Sequence, residues 1–79
     1  MPTIFIFLGF RFFFYSNDHA PIHVHVTKAE KAAKFGIAPV RMIENHGFSP
    51  SDLRMLESII QENEEVICEH WNRFFNNTK

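Results

Sequence analysis

The sequence predicts an α+β fold, an antiparallel meander of about four strands with one long C-terminal amphipathic helix packed on one face. Three observations carry this expectation. Short apolar and aromatic runs alternate with turn residues over positions 3–37. The connections between those runs are too short for a parallel crossover, so neighbours must pair antiparallel. A capped pattern of helical period then occupies the last third of the chain.

The elements follow in order. Residues 3–8 (TIFIFL) read as a strand that Gly9 breaks, and residues 10–16 as a second strand ended by Asn17-Asp18. Pro21 opens a third strand over 22–28, and the polar turn Ala29-Glu30-Lys31 leads to a fourth over 32–37. Residues 39–45 (PVRMIEN) read equally as a short strand or a helical turn, so a fifth strand at 39–44 is the alternative architecture. At the helix start, Ser49 is a good N-cap, Pro50 suits the first helical position and Asp52 completes a Ser-x-x-Asp capping pattern. Phe48, just before the cap, is placed to staple onto Leu53. Leu53, Leu56, Ile60, Ile67, Trp71 and Phe74 then recur at helical spacing, widened by Ile59 and Val66, which predicts one helix over about 50–75. The stripe at Ile67, Trp71 and Phe74 has a role only if the helix continues beyond residue 65. Asn63 and His70 fall within the apolar arc and need hydrogen-bond partners there. One expectation is that they approach the histidines from the helix, the other that they sit at its boundary with water.

Composition bounds the function. With 79 residues, 46% hydrophobic and 22% charged, the chain reads as one globular domain spanning 1–79, without repeats or a linker. The lone Cys68 excludes an internal disulfide and points to a reducing, cytoplasmic setting. The first apolar run is too short to span a membrane and has no basic segment before it, so no membrane association is expected. The net charge of −1 is unevenly spread: five basic against two acidic residues up to Ile43, three against seven from Glu44 onward. The basic half favours an acidic or phosphate-bearing ligand, and two solvated faces of opposite sign are the equal alternative.

Phe10 to Tyr15 (FRFFFY) is apolar or aromatic on both strand faces apart from Arg11. One helix covers one face, so a homodimer or an obligate complex is expected to cover the other, unless the sheet curls over its own rings.

The densest chemistry lies in NDHAPIHVHV, residues 17–26. In a strand Val24 and Val26 face the core, which sends His23 and His25 to the other side. Pro21 biases the chain before it toward an extended form, which is expected to return His19 to the strand's start. His19, His23 and His25 are thus predicted to converge on one partly exposed site, with Asp18 turned inward to hold the bend. Three readings remain open. The imidazoles, with Asp18 as a fourth donor, suit a transition metal such as zinc or nickel. Alternatively, His19, His23 and His25 act as general acid and base on a phosphate ester, with Arg11, Lys28 or Lys34 neutralising the phosphate. In the third, Asn17 and Asp18 cap a turn and the histidines line a polar face. A histidine-triad nucleotide hydrolase does not fit, because Thr27 stands where a third alternating histidine is needed. No Gly-rich phosphate loop, Ser/His/Asp arrangement or CxxC pair is present, and no base is signalled beside Cys68.

MPTIF at the start, Gly9, then Tyr15-x-Asn17-Asp18-His19-x-Pro21-x-His23-x-His25 and a terminal helix ending near Trp71 resemble a small bacterial family, domain-of-unknown-function family 4160. The similarity covers nearly the whole chain. Members carry a second proline before the paired histidines, where this chain has Ile22. The resemblance implies a compact cytoplasmic protein, often encoded beside another small protein, as toxin–antitoxin pairs are. It places the site at Asn17, Asp18, His19, Pro21, His23 and His25. Two functional expectations follow: a toxin-like enzyme acting on RNA or another phosphate ester, or a non-enzymatic module holding a metal or an acidic protein partner.

Overall fold

A computed structural model of the chain describes residues 3–76. Five strands form one antiparallel sheet in the order β1-β2-β3-β4-β5, and two helices follow. The strands are β1 (Thr3–Phe7), β2 (Phe10–Phe13), β3 (His23–Lys28), β4 (Lys31–Gly36) and β5 (Arg41–His46). The helices are α1 (Pro50–Glu62) and α2 (Glu64–Asn76). The α+β class and the antiparallel meander match the sequence reading, while the numbers of strands and helices need correction.

The fifth strand settles the ambiguity over residues 39–45 in favour of the alternative. β5 pairs with β4 from Ala32↔His46 to Gly36↔Arg41, with an irregularity beside Lys34. As an edge strand it is exposed along its whole length, so it shows no alternating burial for a sequence pattern to reveal. Its end is clamped by Asn45, whose side chain accepts the Phe48 N–H (3.0 Å) and donates to the Phe48 carbonyl (3.1 Å). Phe48 is thereby buried before the helix cap, and Ser49 Oγ accepts the Asp52 N–H at 3.1 Å as the capping pattern predicts.

The single long helix is interrupted at Asn63, where φ −113° and ψ 18° leave the helical range. Its N–H is shared between the carbonyls of Ile59 and Ile60, and its side chain donates to Ile59 O at 2.8 Å. An asparagine side chain that competes for backbone partners in this way breaks the helical ladder. The chain resumes helix at once, with Ile67 N–H donating to Asn63 O at 2.9 Å. Ile67 and Trp71 therefore keep their core places, but Val66 and Phe74 are 40% and 43% exposed, and Phe75 packs against Phe14 and Trp71 instead. His70 donates from Nδ1 to Val66 O within its own helix, so neither Asn63 nor His70 approaches the histidine cluster.

One sheet face holds the core. Phe10, Phe12 and Phe14, Val24 and Val26, and Ala33 and Phe35 pack against Phe48, Leu56, Ile60, Ile67 and Trp71. The register Phe12↔Val26↔Ala33 shows the alternation at work, since directly opposed residues share a face. The other face carries the row Phe13↔His25↔Lys34↔Glu44 and, one step away, His23↔Gly36↔Arg41.

Phe13 bears on the argument for a partner drawn from Phe10–Tyr15. It lies on the outer face, yet it is only 2% exposed because the Arg11 guanidinium, Tyr15 and His25 cover its ring. Phe10, Phe12, Phe13 and Phe14 are thus buried within one chain, while Tyr15 stays 44% exposed. Further large exposed apolar side chains include Ile6, Phe7 and Leu8 around the first hairpin and Met42 and Ile43 on β5. That hairpin turns through two residues with positive φ, Leu8 (55°) and Gly9 (84°), the geometry a two-residue hairpin loop needs. Among the described residues no helix is long and apolar enough to cross a membrane.

Candidate metal centre

The site begins with a turn. Asp18 N–H donates to Tyr15 O at 3.0 Å, and the Asp18 carboxylate accepts the Tyr15 N–H at 2.9 Å, an aspartate-closed turn between β2 and β3. This pair of bonds points the carboxylate back under the sheet, as the sequence reading placed it. The strand after Pro21 then brings two imidazoles onto it. His23 Nε2 lies 3.2 Å from Asp18 Oδ1, and His25 Nε2 lies 3.2 Å from Oδ2 and 3.3 Å from Oδ1. The three side chains are 12%, 17% and 11% exposed for His23, His25 and Asp18, so the group is largely shielded from water.

Aromatic rings hold the imidazoles. Phe13 stacks on His25 from the opposed strand with ring centres 5.5 Å apart, and Tyr15 meets it edge-on at 4.6 Å. Trp71 of α2 touches His23 edge-on at 5.3 Å, and the two imidazoles stand 5.1 Å apart. His23 is also fixed in tautomer, because its Nδ1 donates to the Pro21 carbonyl at 3.0 Å. In the neutral ring that leaves the Nε2 lone pair facing a carboxylate oxygen, and two acceptors so close require a proton or a cation between them.

The electrostatics agree with a crowded, half-desolvated site. Burial opposes the charge on Asp18, but the Tyr15 N–H and the two imidazoles outweigh it, and the carboxyl stays below its ordinary 3.8. For His25 burial is the larger effect and outweighs the attraction of Asp18, with His23 and Lys34 adding repulsion, so its pKa falls below the ordinary 6.5. A neutral imidazole beside an ionised carboxylate is the protonation state that metal ligands require.

His19 does not join this group. Its neighbour Asp18 is drawn inward by Tyr15, so the next side chain leaves the turn outward, and His19 is exposed. It lines instead an open groove with His23, Lys34 and Arg41. The expected convergence of three histidines is therefore replaced by two histidines and a carboxylate. Among the remaining predicted site residues, Asn17 is exposed at the turn. Arg11 donates to Thr3 Oγ1 and covers Phe13, on the site's face but under its floor. Lys28 sits at the far end of β3, over the Phe10 ring and bonded to Leu8 O, away from the cluster. Lys34 is beside His25 in register. At Cys68, burial and Glu64 push the thiol above its ordinary value, which disfavours the thiolate.

Sequence reasoning did not assign Phe13, Tyr15 and Trp71 as walls of the site, nor Arg41 to its groove. Tyr15 and Trp71 stood within the residues that carried the family resemblance, and Phe13 becomes visible only once β2 is set opposite His25. The signal for Arg41 was absent, because its strand was unassigned.

A family model described as "Domain of unknown function (DUF4160)" matches residues 9–72, most of the chain and all of the Asp18–His25 segment. The chain belongs to this family. Neither curated proteins nor solved structures yield a match. The matched span includes the turn, the paired histidines and Trp71, and the family description assigns them no chemistry.

Proposed function

We propose that this DUF4160 chain is a metal-binding module in which Asp18, His23 and His25 hold one divalent transition metal, with zinc the leading candidate and nickel suited to the same donors. The observation that carries the reading is the convergence of both Nε2 atoms on the Asp18 carboxylate at 3.2 Å, with His23 Nδ1 committed to the Pro21 carbonyl. Donors about 2.1 Å from one tetrahedral ion stand roughly 3.4 Å apart, so a small movement seats the metal. A ligating histidine that donates its other nitrogen to a carbonyl is the usual outer support of such a site. All three donor atoms lie within 4.8 Å of one another. Three protein donors also leave coordination positions for water or a ligand, which structural zinc sites do not.

The acid–base reading is less well supported. A general base needs a nitrogen free toward its substrate, and at His23 one nitrogen is taken by Pro21 and the other is turned toward Asp18. A toxin-like activity on RNA or another phosphate ester is thereby recast as work done at a metal site rather than by histidines alone.

The test uses untagged protein titrated with zinc against a chromophoric chelator. One equivalent is expected to bind, and Asp18→Asn, His23→Ala and His25→Ala are each expected to weaken binding by tenfold or more, on the order seen when even supporting residues are lost. Folded variants that bind zinc as tightly as the parent would overturn the proposal.

A further inference from the structure

The groove beside the metal centre has the makings of a second site. It runs between the start of β3 and the β4–β5 connection, with a volume of about 330 Å³. Its wall is apolar at Ile22, Ile37 and Ile43, and its charged or titratable lining residues are His19, His23, Lys34 and Arg41, with no acidic residue among them. Lys34 and Arg41 make no ion pair among the described residues. Glu44, opposite Lys34 on β5, lies nearer His46, at 3.8 Å. Gly36 lines the groove and stands directly across from His23. A Cβ there would meet Ile43 Cδ1 at 3.4 Å and Arg41 Cγ at 3.6 Å, both groove residues.

From this we infer that the groove binds a phosphomonoester, its phosphate held by Lys34 and Arg41 and its organic part laid on the isoleucines. Two unpaired cations match a phosphate dianion in charge, and a guanidinium offers it paired N–H donors. The volume sits at the lower end of small-ligand pockets, the scale of a single mononucleotide and too small for a dinucleotide. His23 belongs to both sites: it faces Asp18 on one side and lines the groove on the other. The phosphate site does not depend on the metal, because Lys34 and Arg41 are outside the donor set.

Calorimetric titration of the purified chain with adenosine 5′-monophosphate, and with adenosine as its uncharged twin, tests the inference. The nucleotide is expected to bind at least about tenfold more tightly than adenosine, as fits the loss of charged hydrogen bonds. Lys34→Ala and Arg41→Ala are each expected to weaken the nucleotide by about tenfold, with zinc uptake unchanged. Gly36→Val keeps every charge and is expected to block binding by filling the hollow. A hexaribonucleotide with and without a 5′-phosphate separates the two sources of this chemistry: stronger competition by the phosphorylated strand assigns the groove to RNA ends, and equal or no competition assigns it to free nucleotides. Equal affinity for nucleotide and adenosine, no nucleotide binding at low salt, or unchanged binding by folded Lys34→Ala and Arg41→Ala would overturn it. Failure of zinc uptake with nucleotide binding intact would refute the metal centre and leave the groove standing.

Discussion

His46 and Glu44 on β5 meet at 3.8 Å with side chains 72% and 57% exposed, whereas His23 and His25 each reach 3.2 Å from an Asp18 that is 11% exposed. Both places bring imidazole and carboxylate together on the same sheet. They differ in what surrounds the contact. Asp18 is held by Tyr15 N–H, His23 by the Pro21 carbonyl, and His25 by Phe13 and Tyr15. No other side-chain hydrogen bond or ring contact holds Glu44 or His46 among the described residues. The pairing of residue types is thus common to both, and the supporting shell is what distinguishes a poised site from a solvated pair.

The largest blow to this difference comes from the floor. Phe13→Ala removes a ring that is 2% exposed and stacked on His25, and is expected to cost about 3–5 kcal/mol, read as a lower urea midpoint. Loosening His25 should also weaken zinc binding in whatever fraction remains folded.

Asp18→Ala comes next. It removes the acceptor of the Tyr15 N–H together with the shared partner of both histidines, and a loss of about 1–3 kcal/mol is expected in the same denaturation assay. Asp18→Asn, which keeps an acceptor oxygen, should recover part of that stability and none of the zinc affinity.

Acidification of the metal-free protein sharpens the contrast by titrating the held groups. The folded pKa of His25 lies below 6.5, so the unfolded chain takes up its proton first. Its contribution is present above pH 6.5 and is lost as the pH falls through the folded value. Asp18 behaves alike from a lower start: its contribution is present above pH 3.8 and fades as the pH falls through a folded value below that. Thermal melts are therefore expected to decline in two stages, below 6.5 and again below 3.8, with the later stage missing in Asp18→Asn.

The smallest effect belongs to the exposed pair. His46→Ala and Glu44→Ala are expected to change stability by no more than about 0.5 kcal/mol and to leave zinc uptake intact.

Much of this architecture is legible in the sequence. The alternation of Val24 and Val26 with His23 and His25 placed the histidines on the outer face, and Ser49, Pro50 and Asp52 marked the helix start to the residue. Three features were not legible, each for a physical reason. β5 is exposed throughout, so the two-residue burial period that announces a strand is missing. Asn63 in the apolar arc, with Glu64 and Glu65 after it, reads as part of one continuous helix, although an asparagine that takes up a backbone carbonyl, followed by acids at a fresh N-terminus, is how a second helix begins. The turn carried the third. Sequence spacing set His19 beside Asp18 without saying that Tyr15 would claim the aspartate and leave the histidine outside. Arg41 entered the groove only through the register of β4 with β5, which no local pattern encodes.

The most direct test of the held site is X-ray absorption at the zinc edge of the loaded, untagged protein. Two imidazole nitrogens and one carboxylate oxygen, all near 2.0–2.2 Å and completed by water, are expected around a single ion. A spectrum with sulfur in the shell, with one imidazole or none, or unchanged in His23→Ala and His25→Ala would contradict the assignment of Asp18, His23 and His25 as the metal's ligands.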